Sequence, residues 1–261
     1  MPRAGFICLM YHELERAGRP LCCNEPGYVR YVVREADFLL ELQSLAAAGT
    51  SGQSLSKALE SSQDGLAGVA ITFDDGCETD WLVAAPVLKQ LGFGATFYVV
   101  AAWIGQRGYL TMDQLHSLAG DGFEIGCHSM THAYLTGLDA ASLQREIAAS
   151  KDCLEQITGK RVEHFSCPGG RWNAAVSECC RKAGYRSVAT SRIGINRAAG
   201  GSFRLARVAV QRDTALPAFE SLCRGNGLWM PQARQVLLDS AKAVVGNSTY
   251  ERIRAGMLDR R

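Results

Sequence analysis

Two adjacent carboxylates, and two histidines four residues apart, are the residues of this chain whose types and spacing could do chemistry. Ile71-Thr72-Phe73-Asp74-Asp75-Gly76 ends an apolar run on an acid pair, where glycine lets the chain turn. A later run ends as Gly126-Cys127-His128-Ser129-Met130-Thr131-His132. A spacing of four lets both imidazoles point to one side of a helical turn, as two neutral nitrogens must to grip one metal ion. Asp75 with His128 and His132 offers two imidazoles and one carboxylate with open coordination positions. Such a set suits zinc, iron(II), cobalt or nickel, and an activated water. Asp74, left free of the metal, is then the group to take a proton from that water. Taken singly, the acid pair also reads as a solvated turn and the histidine spacing as an accident; their conjunction favours the chemistry.

Short β-like runs alternate with helical patterns over most of the chain. Strands are expected at 5–11, 68–73, 95–100, 122–127, 164–167, 185–190 and 203–210, and helices at 35–48, 80–90, 112–119, 140–157 and 173–183. Asp139 is placed to cap the fourth helix, and Gly92, Gly159 and Gly184 to end the second, fourth and fifth. Residues 55–60 read as a further short helix beside a polar loop. Strands apolar on both faces and alternating with helices predict a parallel sheet covered on both sides. A closed or nearly closed (β/α) barrel and an open doubly wound sheet both suit the length, and either puts the chemistry at the carboxyl ends of the strands. Beyond 216, two amphipathic stretches (233–245 and 250–258) are expected to pack as helices on the core.

Composition excludes several classes. The 261 residues are 47% hydrophobic and 21% charged, which rules out a disordered chain. Lys+Arg 28 against Asp+Glu 26 leaves +2, too little positive potential for a nucleic-acid partner. The longest apolar stretch, 94–105, is short of the roughly 18 residues that a membrane span needs, so no transmembrane span is predicted. The apolar N-terminal run stops at His12-Glu13 with no small-residue cleavage site behind it, so no export signal is read. The ten cysteines include the vicinal pairs Cys22-Cys23 and Cys179-Cys180 and none at C-x-x-C spacing, which signals neither a disulfide framework nor structural zinc. They fit small hydrophobes in a reducing, cytoplasmic setting.

Thr72-Phe73-Asp74-Asp75-Gly76 and His128-Ser129-x-x-His132 resemble the first two motifs of the polysaccharide deacetylases, carbohydrate esterase family 4, which share the chitooligosaccharide deacetylase homology domain. The resemblance covers about residues 5–212. It implies a distorted (β/α)7 barrel, here over 1–215 with a C-terminal helical extension over 216–261, and metal-dependent removal of N- or O-acetyl groups from sugars. It makes Asp74 the general base and Asp75, His128 and His132 the ligands of a divalent metal, zinc foremost, with cobalt, nickel or iron also suited.

Two departures from the family pattern need other residues. Phe165-Ser166-Cys167-Pro168-Gly169-Gly170-Arg171-Trp172 resembles a third motif, but Ser166 stands where the base-orienting arginine would be. Gly169 keeps a backbone N–H for the oxyanion, while Arg171 and Arg207 are candidates to orient the base. No histidine follows His164, so the usual late general acid is absent. His116 lies within a helix and His164 at the entry end of its strand. His12, in Tyr11-His12, follows the first strand at its carboxyl end, and the chain resembles the branch in which an N-terminal Tyr-His motif supplies the acid. Trp103, Tyr109, Tyr134 and Trp172 are placed to stack on sugar rings, or else to pack in the core. Cys77, Cys127 and Cys167 flank the motifs.

The expected protein is a cytoplasmic, metal-dependent hydrolase removing N-acetyl groups from an amino sugar in a polysaccharide or lipid-linked glycan precursor, as in exopolysaccharide biosynthesis. The alternatives are a deformylase or other small amide hydrolase with the same metal centre, and a non-catalytic glycan-binding module.

Overall fold

The computed structural model describes residues 5–61, 66–197 and 201–228; the amphipathic stretches 233–245 and 250–258 lie outside them. Its strands are β1 (Gly5–Tyr11), β2 (Leu14–Glu15), β3 (Val33–Arg34), β4 (Gly52–Gln53), β5 (Leu66–Phe73), β6 (Thr96–Val99), β7 (Glu124–Cys127), β8 (His164–Ser166), β9 (Ser187–Ala189) and β10 (Val208–Ala209). The helices are α1 (Pro26–Val29), α2 (Glu35–Ala47), α3 (Leu55–Glu60), α4 (Ala85–Leu91), α5 (Met112–Gly120), α6 (Ala140–Gln144), α7 (Ser150–Thr158), α8 (Ala174–Lys182) and α9 (Leu216–Cys223). The main sheet runs β10-β1-β5-β6-β7-β8-β9, all parallel, with β4 added beside β5. An Ala189–Leu205 bridge links β9 to the segment just ahead of β10 and curls the sheet toward closure. Seven strands in one parallel, nearly closed ladder match the barrel expectation and exclude the open doubly wound sheet.

Side chains alternate across each strand, and that period of two sorts the residues. Outward, Tyr11, Phe73 and Phe97 lie in register on neighbouring strands and stack with ring centroids 5.3 and 4.9 Å apart, and Phe38 of α2 closes edge-on over Tyr11. Such pairs add about 1 kcal/mol each beyond their buried area and lock the strand that carries Asp74 against its helix. Inward, Phe6, Cys8, Ala70, Tyr98 and Ala189 make a smaller cluster, plugged by Leu55 and Ala58 of α3. A Cβ on Gly126 would come within 2.4 Å of the Tyr98 ring, so that glycine makes room for the ring inside the barrel.

The strands are therefore not apolar on both faces, as their composition suggested: the inner face turns polar at both ends, with Glu124, His164 and Ser187 at one and Thr72, Ser166 and Arg207 at the other. The expected strand at 203–210 is cut short because the Asn196 side chain takes both backbone groups of Ala206 (2.8 Å each) that a ladder would use. The expected helix at 140–157 is continuous but contains a π turn, Arg145–Ala149, between α6 and α7. Asp139 caps it as expected, accepting from the Ser142 N–H at 2.8 Å. Gly92 and Gly159 end their helices at φ 67 and 66. Beyond the barrel, α9 packs against α2 through the buried Phe219. Among the described residues no helix is long and apolar enough to cross a membrane.

Candidate active site

The inward parity of β5 passes from Ala70 to Thr72 to Asp74 and delivers Asp74 to the carboxyl end of the barrel, where its N–H is held by the Tyr11 carbonyl at 2.9 Å. Asp75 then turns at φ 80 and Gly76 at φ 74; a Cβ on Gly76 would meet Val99 at 2.9 Å. The two neighbouring carboxylates consequently face different partners.

Asp74, 3% exposed, is clamped by Arg207, which comes from the segment entering β10. Arg207 donates to Asp74 Oδ1 (2.6 Å) and Oδ2 (2.7 Å), to Ser166 Oγ (2.8 Å), to the Thr190 carbonyl (3.0 Å) and to Thr72 Oγ1 (3.4 Å). Ser166 Oγ in turn donates to Asp74 Oδ2 at 3.3 Å. A serine at this position leaves space for a guanidinium arriving from another strand, and a bidentate fork fixes a carboxylate in plane as well as in charge. Burial alone would raise the Asp74 pKa. Arg207 and then His128 outweigh it and hold the carboxyl well below the usual range. Arg171, the other candidate partner, lies with its guanidinium 3.9 Å over the Tyr134 ring.

Asp75 faces the histidines. Its Oδ1 lies 3.6 Å from His128 Nε2 and 3.5 Å from His132 Nε2, and it is buried without a hydrogen-bond partner. One ligand atom from each of the three residues falls within 4.8 Å of the others. Burial pushes the Asp75 carboxyl up to about 6, with His12 opposing and Asp74 adding. Burial pushes His128 down to about 3 and also lowers His132, so both imidazoles are neutral with free lone pairs. The His128 Nδ1 partner is the Ser166 carbonyl at 2.9 Å, which directs Nε2 inward. An orphaned carboxylate oxygen facing two neutral nitrogens is a donor set that fits a divalent metal.

The histidine pair does not stand on a helical turn. His128 directly follows β7, and residues 129–132 form a loop in which Ser129 (φ 70) and His132 (φ 64) are left-handed. With Asp75 these are the three non-glycine residues at positive φ among the described residues, and backbone strain of this kind collects at functional sites. The loop is held by Ser129 Oγ, which accepts from the His132 N–H (2.9 Å), and by Glu146. The Glu146 carboxylate accepts from Met130 N (3.1 Å), Thr131 N (2.9 Å) and Thr131 Oγ1 (2.7 Å). Motif and spacing did not single out Glu146, although an acid on the buried stripe of Leu143, Ile147 and Leu154 is a legible signal.

His12 follows β1 on the same rim, beside Tyr31 (ring centroids 5.1 Å apart), with Nδ1 buried and unpartnered. Gly169, at φ 59, sits in the turn after β8 under the Tyr134 ring. The Trp103 ring is 5.1 Å from His132 and 4.8 Å from Tyr109. Trp172 lies under Arg204 and packs on the core with its indole N–H buried and unpartnered. Of the remaining histidines, His116 is exposed and His164 is buried at the opposite end of the barrel. Cys127 bonds Ser150 Oγ at 3.1 Å and Cys167 is buried; all ten cysteines are free thiols.

Residues 63–188 match the family model described as polysaccharide deacetylase. The Bacillus subtilis (strain 168) protein YxkH is 33% identical over 151 residues, 58% of this chain and 54% of that protein. The peptidoglycan-N-acetylglucosamine deacetylase of Bacillus cereus is 32% identical over 121 residues, 46% of this chain and 54% of its own. The chain spans about half the length of each of these relatives. Among solved structures, the Streptococcus pyogenes deacetylase PplD in complex with acetate superposes with a TM-score of 0.73 at 23% identity, over 85% of this chain and 99% of that one. IcaB from Ammonifex degensii superposes with a TM-score of 0.72 at 22% identity, over 84% and 97%. These two likenesses speak for the fold, a distorted (β/α)7 barrel. Over residues 63–188, just under half of its length, this chain is similar to the polysaccharide deacetylase family.

Proposed function

We propose that the protein is a divalent-metal-dependent hydrolase that removes N-acetyl groups from an amino sugar in a polysaccharide or lipid-linked glycan precursor. The observation that carries this reading is the opposite treatment of two neighbouring carboxylates. Asp74 is held ionised by Arg207, while Asp75 turns an unpartnered oxygen toward two neutral imidazoles. Asp75, His128 and His132 would hold the ion, zinc foremost. When bound, such an ion polarises the acetyl carbonyl and lowers the pKa of a water beside it.

The chain's own residues do the rest. Asp74 accepts the proton of the attacking water at a carboxylate oxygen, and the Arg207 fork keeps that carboxylate ionised and oriented near neutral pH. The backbone N–H of Gly169 faces the developing oxyanion, and Arg207 takes the base-orienting role in preference to Arg171. His12 delivers the proton that the departing amine needs, the role of the N-terminal Tyr-His motif. Trp103 beside His132 and Tyr134 over Gly169 offer aromatic faces to the apolar side of a sugar ring, whereas Trp172, packed on the core beneath Arg204, has the least face to offer. Relatives named for chitooligosaccharide and for peptidoglycan N-acetylglucosamine support an amino-sugar substrate. Ten free thiols suit a reducing compartment, and so a precursor made in the cytoplasm.

The test is mass spectrometry of metal-stripped and zinc-reloaded protein with N-acetylated oligosaccharides, lipid-linked sugars and N-formyl analogues. Acetate release only from the reloaded protein is expected. Formate release alone would select a deformylase, and glycan binding without turnover would select a binding module.

A further inference from the structure

A second group of ligating side chains lies behind the turn that carries Asp75. Glu13 follows β1, Cys22 stands on the loop between β2 and α1, and Cys77 comes two residues after Asp75; one ligand atom from each falls within 4.8 Å of the others. Cys22 Sγ is 4.0 Å from Cys77 Sγ and 3.4 Å from Glu13 Oε1. Glu13 and Cys77 are fully buried, and Cys22 is half-buried. We propose that Glu13, Cys22 and Cys77 form a second, thiolate-rich site for a zinc-like divalent cation, distinct from Asp75, His128 and His132 and sharing no ligand with them.

Geometry separates a metal from a disulfide here. Around a tetrahedral ion with metal–sulfur bonds of about 2.3 Å and metal–oxygen bonds of about 2.0 Å, sulfur–sulfur edges are about 3.8 Å and sulfur–oxygen edges about 3.5 Å. The observed 4.0 and 3.4 Å lie within about 0.2 Å of those edges, whereas a disulfide needs about 2.05 Å and a large approach of both chains.

Charge also closes. Arg19 is shared between Glu13 and Glu78 (3.3 Å) and donates to the Gly108 carbonyl at 2.7 Å, so with both thiols protonated the group carries one net negative charge, which favours a cation. Two thiolates plus a divalent cation leave that charge unchanged, the two thiol protons passing to solvent as the metal–sulfur bonds form. The Glu13 carboxylate is already oriented by Arg19, by the Cys22 N–H (2.9 Å) and by Tyr28 Oη (2.9 Å), an outer shell of the kind that steadies a ligand. Nearby, both oxygens of the fully buried Asp80 lack partners. A cation bound here would pin the loop between β2 and α1 to the Gly76-Cys77 turn and so hold Asp75 in its left-handed conformation.

Cobalt(II) reports the site, because thiolate ligands give an intense near-ultraviolet charge-transfer band that a His-and-carboxylate site lacks. Chelator-stripped full-length protein reloaded with Co²⁺ under reductant is expected to show the band and two metal equivalents per chain. Cys22→Ser, on the half-buried loop, is expected to lose the band and one equivalent. Cys23→Ser is expected to keep both, and Asp75→Asn to lose one equivalent and keep the band. A wild-type protein binding one equivalent with the band present would support this site and count against the metal centre at Asp75. Absence of the band in wild type, its survival in Cys22→Ser, or recovery of a Cys22–Cys77 disulfide from metal-loaded protein would overturn the proposal.

Discussion

At the amino ends of the strands, His164 sits fully buried between Ser56 Oγ (2.7 Å) and Ser187 Oγ (2.8 Å), with Glu124 3.4 Å away. At the carboxyl ends, His128 sits just as deeply between Asp75 and the Ser166 carbonyl. Both regions join a buried histidine to a carboxylate, half-buried Glu124 in the first and buried Asp75 in the second, yet they differ in what is left unmet. In the first, Glu124 also accepts from Thr96 Oγ1 and from Ser56 N, and its pKa is pushed down to about 2 by the His164, Ser56 and Thr96 contacts, against the cost of burial. In the second, Asp75 Oδ1 and His12 Nδ1 have no partner and three residues hold strained backbone. A satisfied polar network stabilises the barrel floor. Unsatisfied ligating atoms on strained backbone mark the rim as the place for an exogenous group.

The contrast predicts that rim substitutions alter turnover, whatever they cost in stability, and floor substitutions alter stability alone. Asp74→Asn should lower kcat by about 10⁴-fold at unchanged metal content, and should also lower Tm because it leaves the buried Arg207 guanidinium unpaired. Undiminished acetate release from that variant would break the assignment. His12→Asn is expected to cost about 10³-fold in kcat at unchanged metal content, most steeply for poor leaving groups. Next in size, Arg207→Lys should cost about 10²-fold, since one ammonium cannot reproduce the bidentate fork. The Asp74 pKa is depressed by Arg207, so weakening the pair lets it rise; the acid limb of the pH–rate profile should move to higher pH.

On the floor, His164→Leu strands Glu124, Ser56 and Ser187 and should cost about 3 kcal/mol of stability, read by denaturant unfolding. Turnover per folded molecule should not change. Glu41 gives an intermediate case, a buried carboxylate accepting from Tyr11 Oη at 2.9 Å. Burial pushes its pKa up to about 7, from an ordinary value of 4.5. Its folded form thus holds a proton that the unfolded chain releases, and the penalty is absent below about pH 4.5 and complete above about pH 7. Glu41→Gln should therefore stabilise by about 3 kcal/mol at pH 8 and by nothing at pH 4.

Much of the rim is legible in the chain's local patterns. Asp74, Asp75 and His128 follow apolar runs directly, and a parallel barrel must present such residues at the strands' carboxyl ends. His12 is legible for the same reason, as are the caps at Asp139, Gly92 and Gly159, because these signals lie within a few residues of one another. The partner of Asp74 narrows along the chain only to Arg171 or Arg207. The choice of Arg207 depends on β10 returning beside β1, more than 190 residues away in the chain. The same holds for Glu146, which reaches the histidine loop from a helix.

The cysteines mark the boundary most clearly. Their spacing along the chain holds no C-x-x-C pair and hence no zinc signal, a local fact that folding does not change. Folding alone brings Glu13, Cys22 and Cys77 within 4.8 Å. Which residues leave the strands at the rim is written in the linear order of the chain, because strand parity and turn chemistry act over a few residues. Which distant side chains meet there follows from barrel closure and loop packing, which bring together groups whose separation along the chain carries no record of the contact.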